Sequence, residues 1–127
     1  MNRIQIVTVL VLDQDAAIDF YTGKLGFELL EDKPFGESRW VTVALPKDRG
    51  LTLALELAAT GEDRARVGKQ AGSHALLGIG TSDCRGDYER MKAAGVKFLG
   101  EPQSGPWGTG AQCEDLYGNR IFLSQAP

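Results

Sequence analysis

Histidine is nearly absent from this chain of 127 residues, with His74 its sole example. A metal site built on several imidazoles is therefore excluded, and no spacing here assembles a Ser-His-Asp relay. Cysteine is scarce as well. Cys84 and Cys113 lack CxxC or paired spacing, so they read as two reduced thiols instead of a disulfide framework or a zinc knuckle. Runs of lysine or arginine longer than a pair are missing, and the formal net charge is −3 with a pI near 5.1. That balance argues against a nucleic-acid backbone as partner and weakly favours neutral or cationic small molecules. The strongest apolar run, "IVTVLVL", is far too short to cross a bilayer, and the N-terminal "MNRIQIVTVL" lacks the apolar core and cleavage site of an export signal. A cytoplasmic protein with no membrane partner is expected.

What the chain has is an ordinary globular composition, 43% hydrophobic and 24% charged, enough to build the core of a single domain over residues 1–127. "IQIVTVLVL" has the β-branched enrichment of a strand, after which "DQDAAIDFYTGKLGF" changes period. Ala17, Phe20, Tyr21 and Lys24 share one helical face there, and Gly26 supplies the stop. "FELLED", "RWVTVAL" and "LTLALEL" predict three strands separated by turn segments rich in Pro and Gly. The polar "AATGEDRARVGKQAG" reads as an exposed connection with a helical turn. The order then recurs. "ALLGIGTSD" predicts a strand, "CRGDYERMKAAG" a helix with Tyr88 and Met91 inward and Gly95 past its end, and "VKFLGE", "TGAQCED" and "NRIFLSQ" three more strands.

Laid over each other, "VTVLVLD" through "KLGFELLED" matches "LLGIGTSD" through "AAGVKFLGE", with Asp13 opposite Asp83 and a period of about seventy residues. Module 1 covers about residues 1–57, the connection about 58–72 and module 2 about 73–127. "DAAIDFYTGKLGFE" resembles the D-x-x-x-A-x-x-FY-x-x-x-LGF pattern of the vicinal oxygen chelate superfamily, which includes glyoxalase I, extradiol dioxygenases, fosfomycin-resistance enzymes and bleomycin-resistance proteins. "GPWGTGAQCEDLYGNRIFL" is similar to the superfamily's closing "WG…DPDGN…E" stretch, with Leu116 and Tyr117 as departures. The resemblance implies an α+β fold of two βαβββ modules whose curved mixed sheets surround a cavity, commonly in a homodimer. It does not fix a reaction, because several chemistries and pure binders share the fold.

In metal-using members the ligands come from the first and last strand of each module. Carried onto this sequence, those slots fall at Ile6, Glu56, Leu76 and Phe122. Only Glu56 has a lone pair to offer, whereas a catalytic divalent site ordinarily takes about three protein ligands plus an open position. No metal and no cofactor is expected. His74 shares the parity of Leu76 but lies further along the strand, and Gln5 reaches the site only if the first strand slips by one residue.

Among apolar neighbours the Glu56 carboxylate needs a cation or a proton. Arg120 and His74 have the parity to reach it; an ion pair with Arg120, a contact to a ligand and a general-base role all remain open. Trp40 and Trp107 supply broad surfaces for a planar molecule, as does Phe35 in its loop, whereas Tyr21 is a packing residue. The candidate ligand-binding set is thus Ile6, Trp40, Glu56, His74, Leu76, Trp107, Arg120 and Phe122. The reading that follows is a metal-independent protein that binds and sequesters a small aromatic or cationic molecule, similar to bleomycin-resistance proteins. The alternative is an enzyme, a glyoxalase-like lyase or isomerase or a dioxygenase, with a metal or with Glu56 as base.

Overall fold

Asp13 and Asp83 open the two longer helices in the way their spacing predicts. The computed structural model describes residues 1–127. Asp13 accepts from Ala16 N at 2.9 Å at the start of α1 (Gln14–Gly23), and Asp83 accepts from Gly86 N at 3.0 Å at the start of α3 (Cys84–Ala93). Each satisfies a backbone donor that the first turn leaves unpaired. Past the helix ends, Gly26 and Gly95 take positive φ, +81° and +94°, where a side chain would be strained.

The chain divides into two units, Met1–Gln70 and Ala71–Pro127, each with its own four-stranded mixed sheet. The first contains β1 (Ile6–Val11), β2 (Glu28–Phe35), β3 (Ser38–Leu45) and β4 (Asp48–Leu57) in the order β1-β4-β3-β2, with β1 parallel to β4. Its short helix α2 (Gly61–Arg66) is the helical turn expected within the polar connection, capped by Thr60. The second contains β5 (Ala75–Gly80), β6 (Gln103–Gly105), β7 (Gly108–Glu114) and β8 (Arg120–Gln125) in the order β5-β8-β7-β6, with β5 parallel to β8. The fold is α+β with the repeated βαβββ order. No helix is long and apolar enough to cross a membrane.

Within each unit the helix covers one face of the sheet. In the first, Val9, Val11, Val41, Val43, Leu53 and Leu55 are buried with Ala17, Phe20 and Tyr21, and Tyr21 packs edge-on against Phe20 and Phe27. The side-chain amide of Gln14 ties α1 to the strands by donating to Arg39 O at 3.0 Å and Leu55 O at 2.9 Å. Gln70 closes the outer edge of β1, donating to Thr8 O and accepting from Leu10 N, so its amide stands in for a neighbouring strand. In the second unit Tyr88 and Met91 point inward as expected, joined by Cys84, Ala111, Cys113, Ile121 and Leu123.

Both cysteines are free and buried. Burial first, then the charges of Asp115 and Glu114, pushes the Cys113 thiol up to about 12, and burial raises Cys84 as well. Thiolate is the reactive form, so titration with a disulfide reagent at pH 8 is expected to detect almost no thiol in the folded chain and both cysteines once it is denatured. Rapid reaction of Cys113 in the folded state would contradict this packing.

Three strand expectations change. Lys33, Pro34 and Phe35 belong to β2, which runs into β3 across Gly36 and Glu37 without the longer loop that "KPFGES" suggests. "VKFLGE" forms no full strand: Phe98 bridges Cys113, Leu99 N donates to Gln112 O, and regular pairing resumes only at Gln103. Pro102 has no N–H for the ladder, and the break falls there. Finally, β5 begins after His74, and its pairing jumps from Ala75–Arg120 to Leu77–Ile121. Leu76 is the extra residue of this irregularity, so the alternation that would place His74 and Leu76 on one face does not hold.

Candidate functional site

Strand register sorts the candidate residues onto the sheet faces turned away from the helices. In the first unit Arg39 reaches Asp15 of α1 at 2.8 Å, so Trp40 and Thr42, of opposite parity on β3, lie on the other face. Thr42 pairs with Ala54, Ala54 with Thr8, and Glu56 with Leu10, which places Ile6, Thr8, Leu10, Ala54 and Glu56 on that same face. Ile6 is exposed and Glu56 half-buried. Since Ile6 pairs with Thr52 without slippage, Gln5 keeps the opposite parity, and its carbonyl accepts from Thr52 N at 2.8 Å.

Glu31 belongs to this face too, although no sequence pattern singles it out. Its Oε1 accepts from the Trp40 indole at 3.1 Å and from the Thr42 hydroxyl at 3.2 Å, while Oε2 meets Lys33 at 3.0 Å. The Lys33 ammonium first, then the Trp40 N–H, holds the Glu31 carboxyl below the usual carboxylate range. Glu31 thereby fixes the plane of the Trp40 ring, whose centroid is 6.5 Å from that of Phe35. Phe35 itself is 71% exposed.

In the second unit Gly78 pairs with Phe122 and Phe122 with Gln112, while Gly80, Ser124, Gly110 and Gln103 form the next row across the sheet. This face carries a cleft of about 670 Å³. Phe122, Gly110, Gln112 and Arg120 line it from β7 and β8, Trp107 from the turn between β6 and β7, and Leu99, Gly100, Glu101 and Gln103 from the segment interrupted at Pro102. The broken strand thus forms one wall of the cleft.

Two aromatic rings lie against glycines in this cleft. A Cβ at Gly110 would sit 2.8 Å from Phe122 Cζ and 3.1 Å from Trp107 Cη2, and one at Gly105 would sit 2.6 Å from Trp107 Nε1. Only hydrogen at those positions lets the rings approach so closely. Trp107 is 53% exposed and Phe122 half-buried, so apolar area is left for a ligand to cover. Arg120 donates to Ser73 O at 3.1 Å, and His74 is exposed in the turn before β5.

Register also corrects the equivalence of the predicted slots. Thr8 and Gly78 each stand five residues before a capping aspartate, and they pair with Ala54 and Phe122. Phe122 therefore corresponds to Ala54, and Glu56 to Ser124. Within neither unit do three His, Cys, Asp or Glu side chains gather into a metal-binding set.

The cleft on a glycine-floored sheet, in a repeated βαβββ fold, defines a protein class. Residues 3–123 match the model of the Glyoxalase/Bleomycin resistance protein/Dioxygenase superfamily, and the chain belongs to it. An uncharacterized protein of Shewanella frigidimarina (strain NCIMB 400) is 44% identical over 121 residues, covering 94% of this chain and 90% of that protein. Among solved structures, UcmS2 is similar with a TM-score of 0.86 and 35% identity over 98% of both chains. TnmS3, an antibiotic binding protein from Streptomyces sp. CB03234, has a TM-score of 0.81 and 35% identity over 100% of this chain and 98% of that chain.

Proposed function

We propose that this protein binds and sequesters a small aromatic molecule without a metal ion, as a homodimer. The observation that carries the reading is the pair of rings, Trp107 and Phe122, laid against Gly105 and Gly110 in a cleft of about 670 Å³. A planar ligand laid over such rings covers apolar surface worth about 25 cal/mol per Å² removed from water. The cleft volume falls within the ordinary range for drug-sized ligands. The description of TnmS3 as an antibiotic binding protein supports the same class of role. Chelation chemistry has little to build on, because within neither unit do three His, Cys, Asp or Glu side chains gather.

Calorimetric titration of the purified chain with polycyclic aromatic compounds, before and after dialysis against a chelator, tests this. Saturable binding is expected, unchanged by the chelator and weakened about tenfold or more by Trp107→Ala. Binding that disappears with the divalent ion, or turnover abolished by Glu56→Gln, would instead favour the enzymatic alternative.

A further inference from the structure

We propose that Arg120 selects, among aromatic ligands of this cleft, those with a single acidic group such as a carboxylate; this rests on the sequestration reading above. Arg120 and Phe122 are two residues apart on β8, so guanidinium and ring share one face and line the same cleft. Directly across the ladder from Arg120 stands Glu114, the obvious internal partner. Glu114 is engaged elsewhere, its Oε1 lying 3.7 Å from Lys97 Nζ. Within its own unit Arg120 has no carboxylate within ion-pair distance and spends one N–H on the Ser73 carbonyl. The remaining donors of its planar fork suit the two oxygens of a carboxylate held edge-on beside a ring.

The net charge of −3 points the other way, towards cations. Inside a cleft, however, the nearest charge outweighs distant ones, which solvent and salt screen beyond about 8 Å. Glu101 also lines the cleft and disfavours a second negative group, so a monoacid fits better than a diacid.

Calorimetry with 2-naphthoate and 2-naphthylmethylammonium, which share a ring system and differ in charge, provides the test on the full chain. Naphthoate is expected to bind roughly tenfold tighter or more, Arg120→Gln to erase that preference while the ring still binds, and Arg120→Lys to restore part of it. Arg120 is exposed, so the variants should melt close to wild type, and a thermal scan checks this. Equal binding of both probes, tighter binding of the ammonium, or no effect of Arg120→Gln overturns the assignment while leaving the aromatic cleft in place. Binding of neither probe overturns both.

Discussion

Asp115→Ala is expected to lower the unfolding free energy by about 3 kcal/mol, visible as a melting temperature roughly 10 °C below wild type. Asp115 is only 5% exposed and organises the turn between β7 and β8. Its Oδ1 accepts from Tyr117 N and Asn119 N, both at 2.9 Å, and its Oδ2 accepts from Asn119 Nδ2 at 2.8 Å. Asn119 is 3% exposed, so its donors would find neither water nor a replacement partner once the carboxylate is gone. Asp115→Asn should fall between the two, since one side-chain oxygen survives. An alanine variant melting within a degree or two of wild type would show that the backbone alone, with Gly118 at φ +91° and Asp115 N donating to Asn119 O, holds the turn.

That turn matters beyond stability, because it sets the register of β7 against β8. Glu114 opposite Arg120 and Gln112 opposite Phe122 follow directly from where the chain reverses. A slip of one residue would carry Phe122 and Arg120 to the face covered by α3. The departures from the family pattern at Leu116 and Tyr117 leave this arrangement intact, since the bonds that shape the turn are made by Asp115, Gly118 and Asn119 and by the backbone N–H of Tyr117, which any residue but proline supplies.

Local signals in the sequence account for most of the fold. Capping aspartates, the glycines after each helix and the inward set Ala17, Phe20, Tyr21, Tyr88 and Met91 all act within a turn or two of chain, and all stand where the pattern puts them. What escaped depends on contacts between strands. The extra residue at Leu76 appears only when β5 is set beside β8, and the interruption at Pro102 only when residues 97–105 are set beside β7. The site divides in the same manner. Trp107 is recognisable by type, Phe122 by its place in the last strand and Arg120 by parity with it, and the three line one cleft. Gly110, Gln112, Leu99 and Glu101 carry no signal of their own and join it through register and the broken strand. Glu31 was likewise invisible, because nothing in "LLEDKPF" announces that its carboxylate will meet an indole nine residues later.

The strongest test of the glycine floor is Gly110→Val, expected to weaken binding of a planar aromatic ligand about a hundredfold, or about 2.7 kcal/mol, while leaving the chain folded. Gly110 has ordinary extended backbone, so a β-branched residue is conformationally welcome in this strand. The cost falls on the rings instead. Even a single methyl at that position would stand 2.8 Å from Phe122 Cζ, 2.9 Å from Phe122 Cε2 and 3.1 Å from Trp107 Cη2. Valine adds two more carbons, which must push both rings aside and fill the space a ligand would take. Intrinsic tryptophan fluorescence should change with the displaced Trp107, and far-ultraviolet circular dichroism should not. Gly23→Ala serves as the control, because nothing lies within 4 Å of its added Cβ at the end of α1, and it should leave affinity untouched. Wild-type affinity in a folded Gly110→Val chain would mean that the ligand does not rest on this face, and the cleft would lose its claim to be the binding site.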